Sequence, residues 1–398
     1  MAKMFLLTGA TGLLGGYLLR DGLASGERMV ALVRDHRKAS AAQRVKTRLA
    51  SFEGPLQKTL NSPMPAPLVL PCNLNRENLG LKEEDIHWIA QHCHAIVHNA
   101  ASLQFYGPDR EGEPWRTNLD GTRRVLKLCR QTGIRQFHFV STAYVCGHRS
   151  GCVLEDELDV GQSMGNDYER SKLEAEHLIR NDAFLESTTV YRPSVIIGDS
   201  RTSQTDGYHG FYSVLKLAHT LASRVQQGAT SGGELAAALG LSDGETKHLV
   251  PVDWVSAVIT HIRRNSRLHG RTYHLTARTP LPVAEMAAVI QEAIERYSNL
   301  ADPNDPTRLD GNWISQAFRQ QMSVYRAYWR DDPQFDQRNT LWAAGHLPCP
   351  HVDRKMLLKM ARWAIESRFG RELILASPGL PRTTTDALCG THSSECPH

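Results

Sequence analysis

The sequence predicts an α/β fold: a doubly wound parallel sheet followed by a smaller, mostly helical C-terminal lobe. Short apolar segments alternate with amphipathic segments of helical periodicity through the first 200 residues, and this alternation is typical of parallel sheets. A glycine-rich turn joins the first apolar segment to the first helix. With 398 residues, of which 41% are hydrophobic and 22% charged, the chain is long enough for one large α/β domain and an added lobe.

The first element is a short strand, Met4 to Leu7, and the segment TGATGLLG follows it directly. Gly9 allows a tight turn, Gly12 lets the backbone approach a pyrophosphate, and Gly15 lets the helix pack closely. An ordinary strand-to-helix turn is the alternative, but the position at the start of a βα unit favours a dinucleotide site. The predicted cofactor contacts of this segment are Thr8, Gly9, Thr11, Gly12, Leu13, Leu14 and Gly15.

The second strand, Met29 to Val33, ends in Arg34. In a dinucleotide fold this strand end meets the adenosine ribose, where an acid suits a free 2′-hydroxyl and an arginine suits a 2′-phosphate. Arg34, with Arg44 as a helper, therefore predicts NADP as the cofactor, while the adjacent Asp35 leaves NAD open. The other basic residues of this segment are expected on a solvated helix face.

Further strands are predicted at 68–70, 95–98 and 136–140, with helices at 82–94 and 115–132. Asn73 and Leu74 follow the third strand, and the short residues Asn99, Ala100 and Ala101 follow the fourth. Small residues at a strand exit let a cofactor lie close to the backbone, so the second segment is expected to contact the dinucleotide. Asn73 and Leu74 are candidate cofactor contacts at the neighbouring strand exit.

The fifth strand runs into Ser141 and Thr142, and a helix that carries Tyr168 and Lys172 follows it. Tyrosine and lysine four residues apart share one helix face. A lone Y-x-x-x-K pair occurs by chance on many solvated helices, but after a dinucleotide turn and a Ser-Thr strand end it predicts catalysis. A nearby ammonium favours the phenolate of a tyrosine, whose pKa is ordinarily ~10, so this pair can exchange a proton. With Thr142 holding a substrate oxygen, the three residues suit hydride transfer at a carbonyl carbon.

Five segments, in this order, carry a family resemblance: TGATGLLG, HNAA, STAYVCG, YERSK and RPSVIIG. Together they resemble the extended short-chain dehydrogenase/reductases, which have a Rossmann fold. The resemblance implies that Tyr168 is the catalytic acid/base, that Lys172 lowers the pKa of Tyr168 and binds the nicotinamide ribose, and that Thr142 orients the carbonyl. It also implies cofactor contacts at Ser141, Lys172, Pro193 and Val195.

Within that family, the segments LVR, VSTA, VYRPS and PVD are most similar to the thioester reductase and fatty acyl reductase branch, the male-sterility type. The resemblance implies that NADPH reduces an acyl thioester, delivered on coenzyme A or an acyl carrier protein, to an aldehyde or onward to an alcohol. Cys72 and Asn73 stand where the branch has Gly-Asp, and Leu173 replaces a common tryptophan. A nucleotide-sugar epimerase or dehydratase with NAD is the alternative, and a cofactor sensor without turnover is a third.

A dinucleotide-binding domain is expected over residues 1–200 and a substrate-binding lobe over 201–370, interleaved with late sheet elements at about 249–276. Tyr208 and His209 precede an amphipathic helix and are candidate substrate residues, with packing against the core as the alternative. The aromatic residues between 313 and 345 suit either a lid over an apolar channel or packing of the lobe. Residues 371–398 are rich in Pro, Thr, Ser and Gly, which predicts a disordered tail.

Several classes of function are disfavoured. A net charge of +4, without basic runs among aromatic residues, gives no support to nucleic-acid binding. No apolar stretch reaches the ~18 residues of a membrane span, and glycines break the apolar N-terminal run too early for a signal peptide. The eight cysteines are scattered, as expected for reduced thiols in the cytoplasm. A C-terminal set could hold zinc but has no flanking periodicity, so we predict no metal site; it comprises Cys389, His392, Cys396 and His398.

Overall fold

The computed structural model describes residues 4–52, 65–222, 244–297 and 330–370, and its main feature is a seven-stranded sheet. The strands of this sheet are β1 (Met4–Thr8), β2 (Met29–Val33), β3 (Leu68–Pro71), β4 (Cys93–His98), β5 (Gln136–Val140), β7 (Ser187–Pro193) and β11 (Thr272–Leu275). Their order across the sheet is β3-β2-β1-β4-β5-β7-β11, and every neighbouring pair is parallel. The prediction of a doubly wound parallel sheet is confirmed.

Helices cover both faces of this sheet, which explains why its central strands are buried along most of their length. Every residue of β2, for example, is buried. The helices of the described residues are α1 (Leu13–Ala24), α2 (Ala41–Ala50), α3 (Glu83–His92), α4 (Gly121–Thr132), α5 (Asp167–Arg180), α6 (Phe211–Ala222), α7 (Val252–Arg263), α8 (Val283–Tyr297), α9 (Arg338–Ala344) and α10 (Arg354–Glu366). Short strand pairs lie outside the sheet: β6 (Cys152–Val153) with β13 (Gln334–Phe335), β8 (Val195–Ile197) with β10 (Leu249–Pro251), and β9 (Thr246–Lys247) with β12 (Leu281–Pro282).

Two apolar cores sandwich the sheet. On one face, α1 and α7 pack together through side chains such as Leu18, Val255 and Ile259. On the other face, side chains such as Leu126 of α4 and Ile179 of α5 are buried against the strands. The helix that begins at Val252 therefore packs on the sheet although it lies late in the sequence.

A third core belongs to the C-terminal lobe. Helices α6, α8 and α10 pack on one another, and side chains such as Leu215, Met286 and Met360 are buried between them. The predicted helix over 283–297 has the observed bounds of α8, whereas the one predicted over 356–369 begins earlier, at Arg354, and ends at Glu366. The side chain of Asp353 accepts a hydrogen bond from the Met356 amide and so starts that helix two residues sooner.

Two predicted boundaries in the first half of the chain are wrong. The helix predicted over 82–94 ends at His92, because Cys93 already pairs with Met4 of β1 and the His94 ring donates a hydrogen bond to the Met4 carbonyl. The helix predicted over 115–132 is divided into a π-helical turn, Arg116–Asp120, and the α-helix α4. Single π turns of this kind are frequent at functional sites.

Some predictions fall outside the described residues. These are the disordered tail, its Cys and His residues, and the aromatic residues Trp313, Phe318, Tyr325, Tyr328 and Trp329. Of the other two aromatic residues, Phe335 is buried beside Cys146 and Val153, and Trp342 is 59% exposed and lies under the Arg271 guanidinium. Within the described ranges, no helix is both long and apolar enough to cross a bilayer.

Candidate active site

A cavity of about 1350 Å³ opens at the carboxyl ends of the central strands. Strand order changes direction between β1 and β4, and in open parallel sheets ligands bind in the crevice at this point. The cavity is lined by the glycine turn and by the exits of β2, β3, β4, β5 and β7, together with part of the C-terminal lobe. The predicted residues found in its wall are Thr8, Gly9, Thr11, Gly12, Leu13, Leu14, Arg34, Asn73, Leu74, Asn99, Ala100, Ala101, Ser141, Thr142, Tyr168, Lys172, Pro193, Val195 and His209.

The three glycines of the turn have different roles. Gly9 has a positive φ of 73°, and a Cβ there would lie 2.8 Å from the Ala100 backbone. A Cβ on Gly15 would lie 1.9 Å from the Gly9 carbonyl oxygen, so Gly15 is a packing residue and does not line the cavity. A Cβ on Gly12 would meet the protein only at 3.5 Å, so the protein's own packing does not demand a glycine there. The open side of Gly12 faces the cavity and fits a closely approaching ligand.

Helix α1 begins directly after Gly12, and no described side chain caps this end. The first backbone N–H groups of a helix lack partners within the helix and carry a partial positive charge. Leu13 and Leu14, which belong to this first turn, line the cavity. This arrangement fits the pyrophosphate of a dinucleotide.

Thr8 holds the glycine turn against the exit of β4. Its hydroxyl accepts hydrogen bonds from the backbone N–H groups of Asn99 and Ala100, both at 3.1 Å. It also bonds His98 Nδ1 at 2.8 Å, and the other ring nitrogen of His98 bonds Thr122 at 3.0 Å. Burial lowers the pKa of His98 to about 3, so the imidazole is neutral. Thr8 therefore lines the cavity with its hydroxyl already committed to protein partners.

Two arginines meet at the exit of β2. Arg44 donates to the carbonyl of Arg34 and, at 3.1 Å, to the hydroxyl of Thr11. Burial and then the charge of Arg34 lower the pKa of Arg44, which means that the two guanidinium groups repel each other. Asp35, in contrast, accepts a hydrogen bond from the Ala41 amide at 2.7 Å and is not part of the cavity wall. This corner of the cavity is cationic.

The exit of β3 forms the neighbouring wall. The Asn73 side chain accepts a hydrogen bond from the Asn75 amide at 3.0 Å, and the Asn73 amide donates to the Leu79 carbonyl at 2.7 Å. Burial raises the pKa of the Cys72 thiol to about 12, so the thiol stays protonated. Cys72 replaces a small residue of the related branch without adding a charge to the cavity.

Thr142, Tyr168 and Lys172 come together at the exit of β5. Thr142 begins a 3₁₀ turn, Ala143–Cys146, and accepts a hydrogen bond from the Tyr144 amide at 3.3 Å. Helix α5 begins at Asp167, capped by the Asn166 side chain, so Tyr168 lies in its first turn and Lys172 one turn later. The Thr142 hydroxyl hydrogen-bonds the Tyr168 phenol. Lys172 donates to the Val140 carbonyl at 2.7 Å, and its ammonium lies 4.0 Å from the centre of the Phe139 ring.

The electrostatics of this trio differ from the prediction. Burial raises the pKa of Tyr168 to about 12, against the opposing effect of the Thr142 hydrogen bond. The expected lowering by Lys172 is absent, because the ammonium points to Val140 and Phe139 behind the strand end. Burial lowers the pKa of Lys172 to about 7, while the charge of Glu176 opposes that shift. Tyr168 is therefore a proton donor at neutral pH, and Lys172 titrates near neutrality.

Sequence reasoning missed the loop that follows β4. The Phe105 carbonyl accepts hydrogen bonds from the amides of Asp167 at 2.9 Å and Tyr168 at 3.3 Å, so this loop fixes the start of α5. The Phe105 and Tyr168 rings lie 6.4 Å apart in an edge-to-face arrangement. Leu103 and Tyr106, in the same cavity wall, are each 45% exposed. The available signal was a run of large side chains, LQFY, within an otherwise small and polar loop.

Asn118, in the π-helical turn, is a second residue that the sequence did not reveal. Its side chain donates to the Ser171 hydroxyl at 2.9 Å and to the Ser102 carbonyl at 3.1 Å, and accepts from the Ser102 amide at 2.8 Å. It is 2% exposed. Asn118 therefore connects the loop after β4 to the helix that carries Tyr168 and Lys172.

The C-terminal lobe closes the cavity on the side of β7. Of the two candidate substrate residues, His209 lines the cavity, whereas Tyr208 does not. The Tyr208 hydroxyl lies 3.2 Å from the Thr205 carbonyl and 3.2 Å from the Ser367 hydroxyl, and its ring packs against Phe369. The prediction of Tyr208 as a substrate residue is therefore not supported, and packing explains it.

The loop between β8 and α6 is held by Asp253, the acid of the PVD segment. The carboxylate of Asp253 accepts hydrogen bonds from the Ser200 amide at 2.9 Å and the Ser200 hydroxyl at 2.7 Å. Further along this loop, Asp206 lines the cavity and pairs with Arg48 of α2 at 2.6 Å. Asp253 thus fixes the loop that forms this part of the cavity wall.

A family model for NAD-binding proteins, described as Male sterility protein, matches residues 7–259. The nonribosomal peptide synthetase asaC of Aspergillus flavus is 27% identical over 288 residues, covering 70% of this chain and 26% of that protein. The aldehyde reductase lnaA of the same species is 25% identical over 396 residues, covering 90% of this chain and 35% of that protein. The chain therefore spans roughly a quarter to a third of the length of these curated relatives.

A solved structure, the terminal R domain from the myxalamid PKS-NRPS biosynthetic pathway, is similar throughout. Its TM-score is 0.69 at 25% sequence identity, over 92% of this chain and 91% of that chain. The family model covers well over half of the 398 residues and includes Gly12, Tyr168 and Lys172. The chain belongs to the male sterility protein family of NAD-binding proteins.

Proposed function

We propose that this chain is a reductase that uses NADPH to convert an acyl thioester to an aldehyde. The observation that carries the proposal is that Thr142, Tyr168 and Lys172 share one cavity with the glycine turn at Gly12. This arrangement supports a role for Tyr168 as a proton donor beside a bound dinucleotide. The names of the relatives, a peptide synthetase, an aldehyde reductase and a terminal R domain, agree with thioester reduction.

The residues that would hold the cofactor are those of the glycine turn and the two arginines after β2. Arg34 and Arg44 repel each other, and a 2′-phosphate between them would relieve that repulsion. Asp35 would be needed for a free ribose hydroxyl, but its side chain bonds the Ala41 amide. NADP is therefore favoured over NAD. When bound, NADPH supplies the hydride.

The chain's own groups manage the oxygen and its proton. Thr142 and Tyr168 donate hydrogen bonds to the carbonyl oxygen of the thioester. As the carbon gains hydride, the carbonyl π electrons move to oxygen, and Tyr168 passes its proton to that oxygen. The resulting hemithioacetal breaks its C–S bond, the hydroxyl proton returns to the tyrosine oxygen, and the departing thiolate takes a proton from solvent. The products are one aldehyde and one thiol.

The acyl group would arrive on coenzyme A or on an acyl carrier protein, and the exposed Leu103 and Tyr106 at the cavity wall suit such a thioester arm.

Residues 201–370 would form the substrate-binding lobe and residues 1–200 the dinucleotide-binding domain. The cytoplasm remains the predicted location. Onward reduction of the aldehyde to an alcohol would need a second NADPH in the same cavity.

The test is NADPH oxidation by the full chain with a panel of acyl-coenzyme A thioesters and the matching aldehydes, beside Tyr168→Phe. Thioester-dependent oxidation that is lost in the variant is the expected result. Turnover of aldehydes alone would reduce the activity to a carbonyl reductase. Purification with tightly bound NAD, indifference to NADPH and turnover of a nucleotide sugar would replace the proposal with an epimerase or dehydratase.

A further inference from the structure

Helix α5 carries a third polar residue in line with the two catalytic ones. Tyr168, Lys172 and Glu176 follow one another at intervals of four residues, which places them on one helix face. Glu176 is fully buried, and the reaction proposed above gives it no role. A buried carboxylate is costly unless it is paired and hydrogen-bonded, so its partners show what holds it there.

Glu176 joins α5 to the exit of β5 and to β7, and its partner Arg180 extends this network to β11. The Ser141 hydroxyl at the exit of β5 donates to it at 2.7 Å. Arg192 of β7 donates at 2.7 Å and 3.2 Å, and Arg180 of α5 donates at 2.6 Å and 3.0 Å. Arg180 also donates to the Thr272 hydroxyl of β11 at 2.8 Å.

One helix, α5, therefore holds the end of β5 at two successive residues. Lys172 bonds the Val140 carbonyl, and Glu176 bonds the side chain of the next residue, Ser141. Thr142 follows immediately and reaches Tyr168, one turn before Lys172. Contacts at Val140, Ser141 and Thr142 thus lock the strand end in register with the helix.

Glu176 is also the anion of this cluster. Burial alone would raise its pKa, but Arg192 and Arg180 outweigh burial and lower the pKa to about 2. The charged or titratable groups around it are Lys172, Arg180 and Arg192, with His274 of β11 lying 3.3 Å from Arg192 and His98 of β4 facing Lys172. Burial lowers the pKa of both histidines to about 3, so neither adds a charge near neutral pH.

We propose that Glu176 is a positioning residue, which through Ser141 holds the end of β5 in register with the helix that carries Tyr168 and Lys172. The link to turnover rests on the reductase function proposed above. The effect on Lys172 does not, because the Lys172 ammonium is held at the same strand end by the Val140 carbonyl. Removal of Glu176 would release Ser141 from α5 and withdraw the negative charge that favours the charged form of Lys172.

The experiment is a ¹³C NMR titration of the full chain labelled at lysine Cε, with the Lys172 signal assigned by its loss in Lys172→Arg. In Glu176→Gln the titration midpoint of Lys172 should fall by about one pH unit or more. Glu176→Asp, which keeps the charge, should restore most of the shift. The matched control is Glu174→Gln, because Glu174 lies on the same helix and pairs with Arg110 at the surface. A folded Glu176→Gln protein with an unchanged midpoint would overturn the proposal.

Loss of one partner from a buried ion pair can unfold a protein, so a second variant keeps the test decisive. Glu176→Gln combined with Arg192→Met removes the carboxylate together with its fully buried partner and leaves only Arg180, which is partly exposed to solvent. The Lys172 midpoint of this variant should still lie below that of the wild type. An unchanged midpoint there contradicts the proposal as well. If no thioester is reduced even by the wild type, the reductase function fails while the lysine titration still decides the role of Glu176.

Discussion

The two ends of the cavity are built in different ways. At the dinucleotide end, backbone atoms meet backbone atoms: Gly9 approaches Ala100, and Gly15 approaches Gly9. At the catalytic end, charged and polar side chains from α5, β5 and β7 meet around Glu176. At the dinucleotide end, close backbone contacts decide which residues fit. At the catalytic end, the protonation states of the side chains decide what the site can do. Substitutions at the first end should therefore change folding and cofactor affinity, whereas those at the second should change turnover and its pH dependence.

The largest effect is expected at the catalytic end. Tyr168→Phe should lower kcat by about 10²- to 10⁴-fold, because it removes the proton donor while the dinucleotide end stays intact. The Kd for NADPH should change little, and steady-state kinetics with fluorescence titration measures both. Tyr208→Phe is the matched control, since that hydroxyl bonds Thr205 and Ser367 outside the cavity wall. Equal losses in the two variants would contradict the assignment of Tyr168.

The glycine turn offers a paired test of the dinucleotide end. Gly15→Ala drives a Cβ into the Gly9 carbonyl and should cost about 3 kcal/mol of unfolding free energy. Gly12→Ala has room for its Cβ and should change stability by less than about 1 kcal/mol while weakening NADPH binding at least about tenfold. Urea unfolding and NADPH titration separate the two. Unchanged NADPH affinity in Gly12→Ala would mean that the pyrophosphate does not approach this residue.

His98 supports the dinucleotide end from behind, and its protonation should loosen that support. The pKa of His98 is about 3 in the folded chain and ~6.5 when unfolded, so the unfolded state takes up the proton first as pH falls. This linkage should remove on the order of 2 kcal/mol of stability between pH 7 and pH 5. His98→Gln should flatten that dependence, measured by urea unfolding at each pH. The exposed His87 serves as the control position, and an equal flattening there would refute the role of His98.

The smallest effect is expected at the cationic corner. Arg44→Ala should raise the Kd for NADPH about tenfold and leave that for NADH within about twofold, because only the 2′-phosphate is lost as a partner. Arg34→Ala should act in the same direction. Arg37→Ala, at an exposed neighbouring position, is the control. Equal weakening of NADPH and NADH would show that Arg44 supports the fold through Thr11 rather than reading the phosphate.

Much of the fold and of the dinucleotide end could be predicted because the determinants are local in sequence. A strand, the glycines of the turn (Gly9, Gly12 and Gly15) and a helix lie within the first 24 residues, and the spacing of those glycines specifies the turn. The positions of Tyr168 and Lys172 on one helix also follow from their spacing. Their protonation does not, because it depends on burial and on residues such as Glu176 and Arg192, which distant strands bring together.

The residues that sequence reasoning missed or misassigned depend on contacts between distant parts of the chain. Phe105 holds the start of α5 through its backbone carbonyl, and the LQFY run marks this loop without indicating that Asp167 and Tyr168 are its partners. Asn118 stands four residues before the buried Thr122, so helical periodicity predicts its burial, but its partners Ser102 and Ser171 lie on other segments that only the fold brings near. Tyr208 was a candidate because of its position in sequence, whereas a contact with Ser367, far along the chain, turns it away from the cavity.

The stoichiometry of a single reaction tests thioester reduction. The full chain would be mixed with NADPH and an acyl-coenzyme A, and NADPH consumed, free thiol and aldehyde would be quantified together. Thioester reduction by this site predicts one thiol and one aldehyde for each NADPH consumed, with all three changes abolished in Tyr168→Phe. NADPH consumption without release of thiol would contradict thioester reduction, since the C–S bond would then have remained intact.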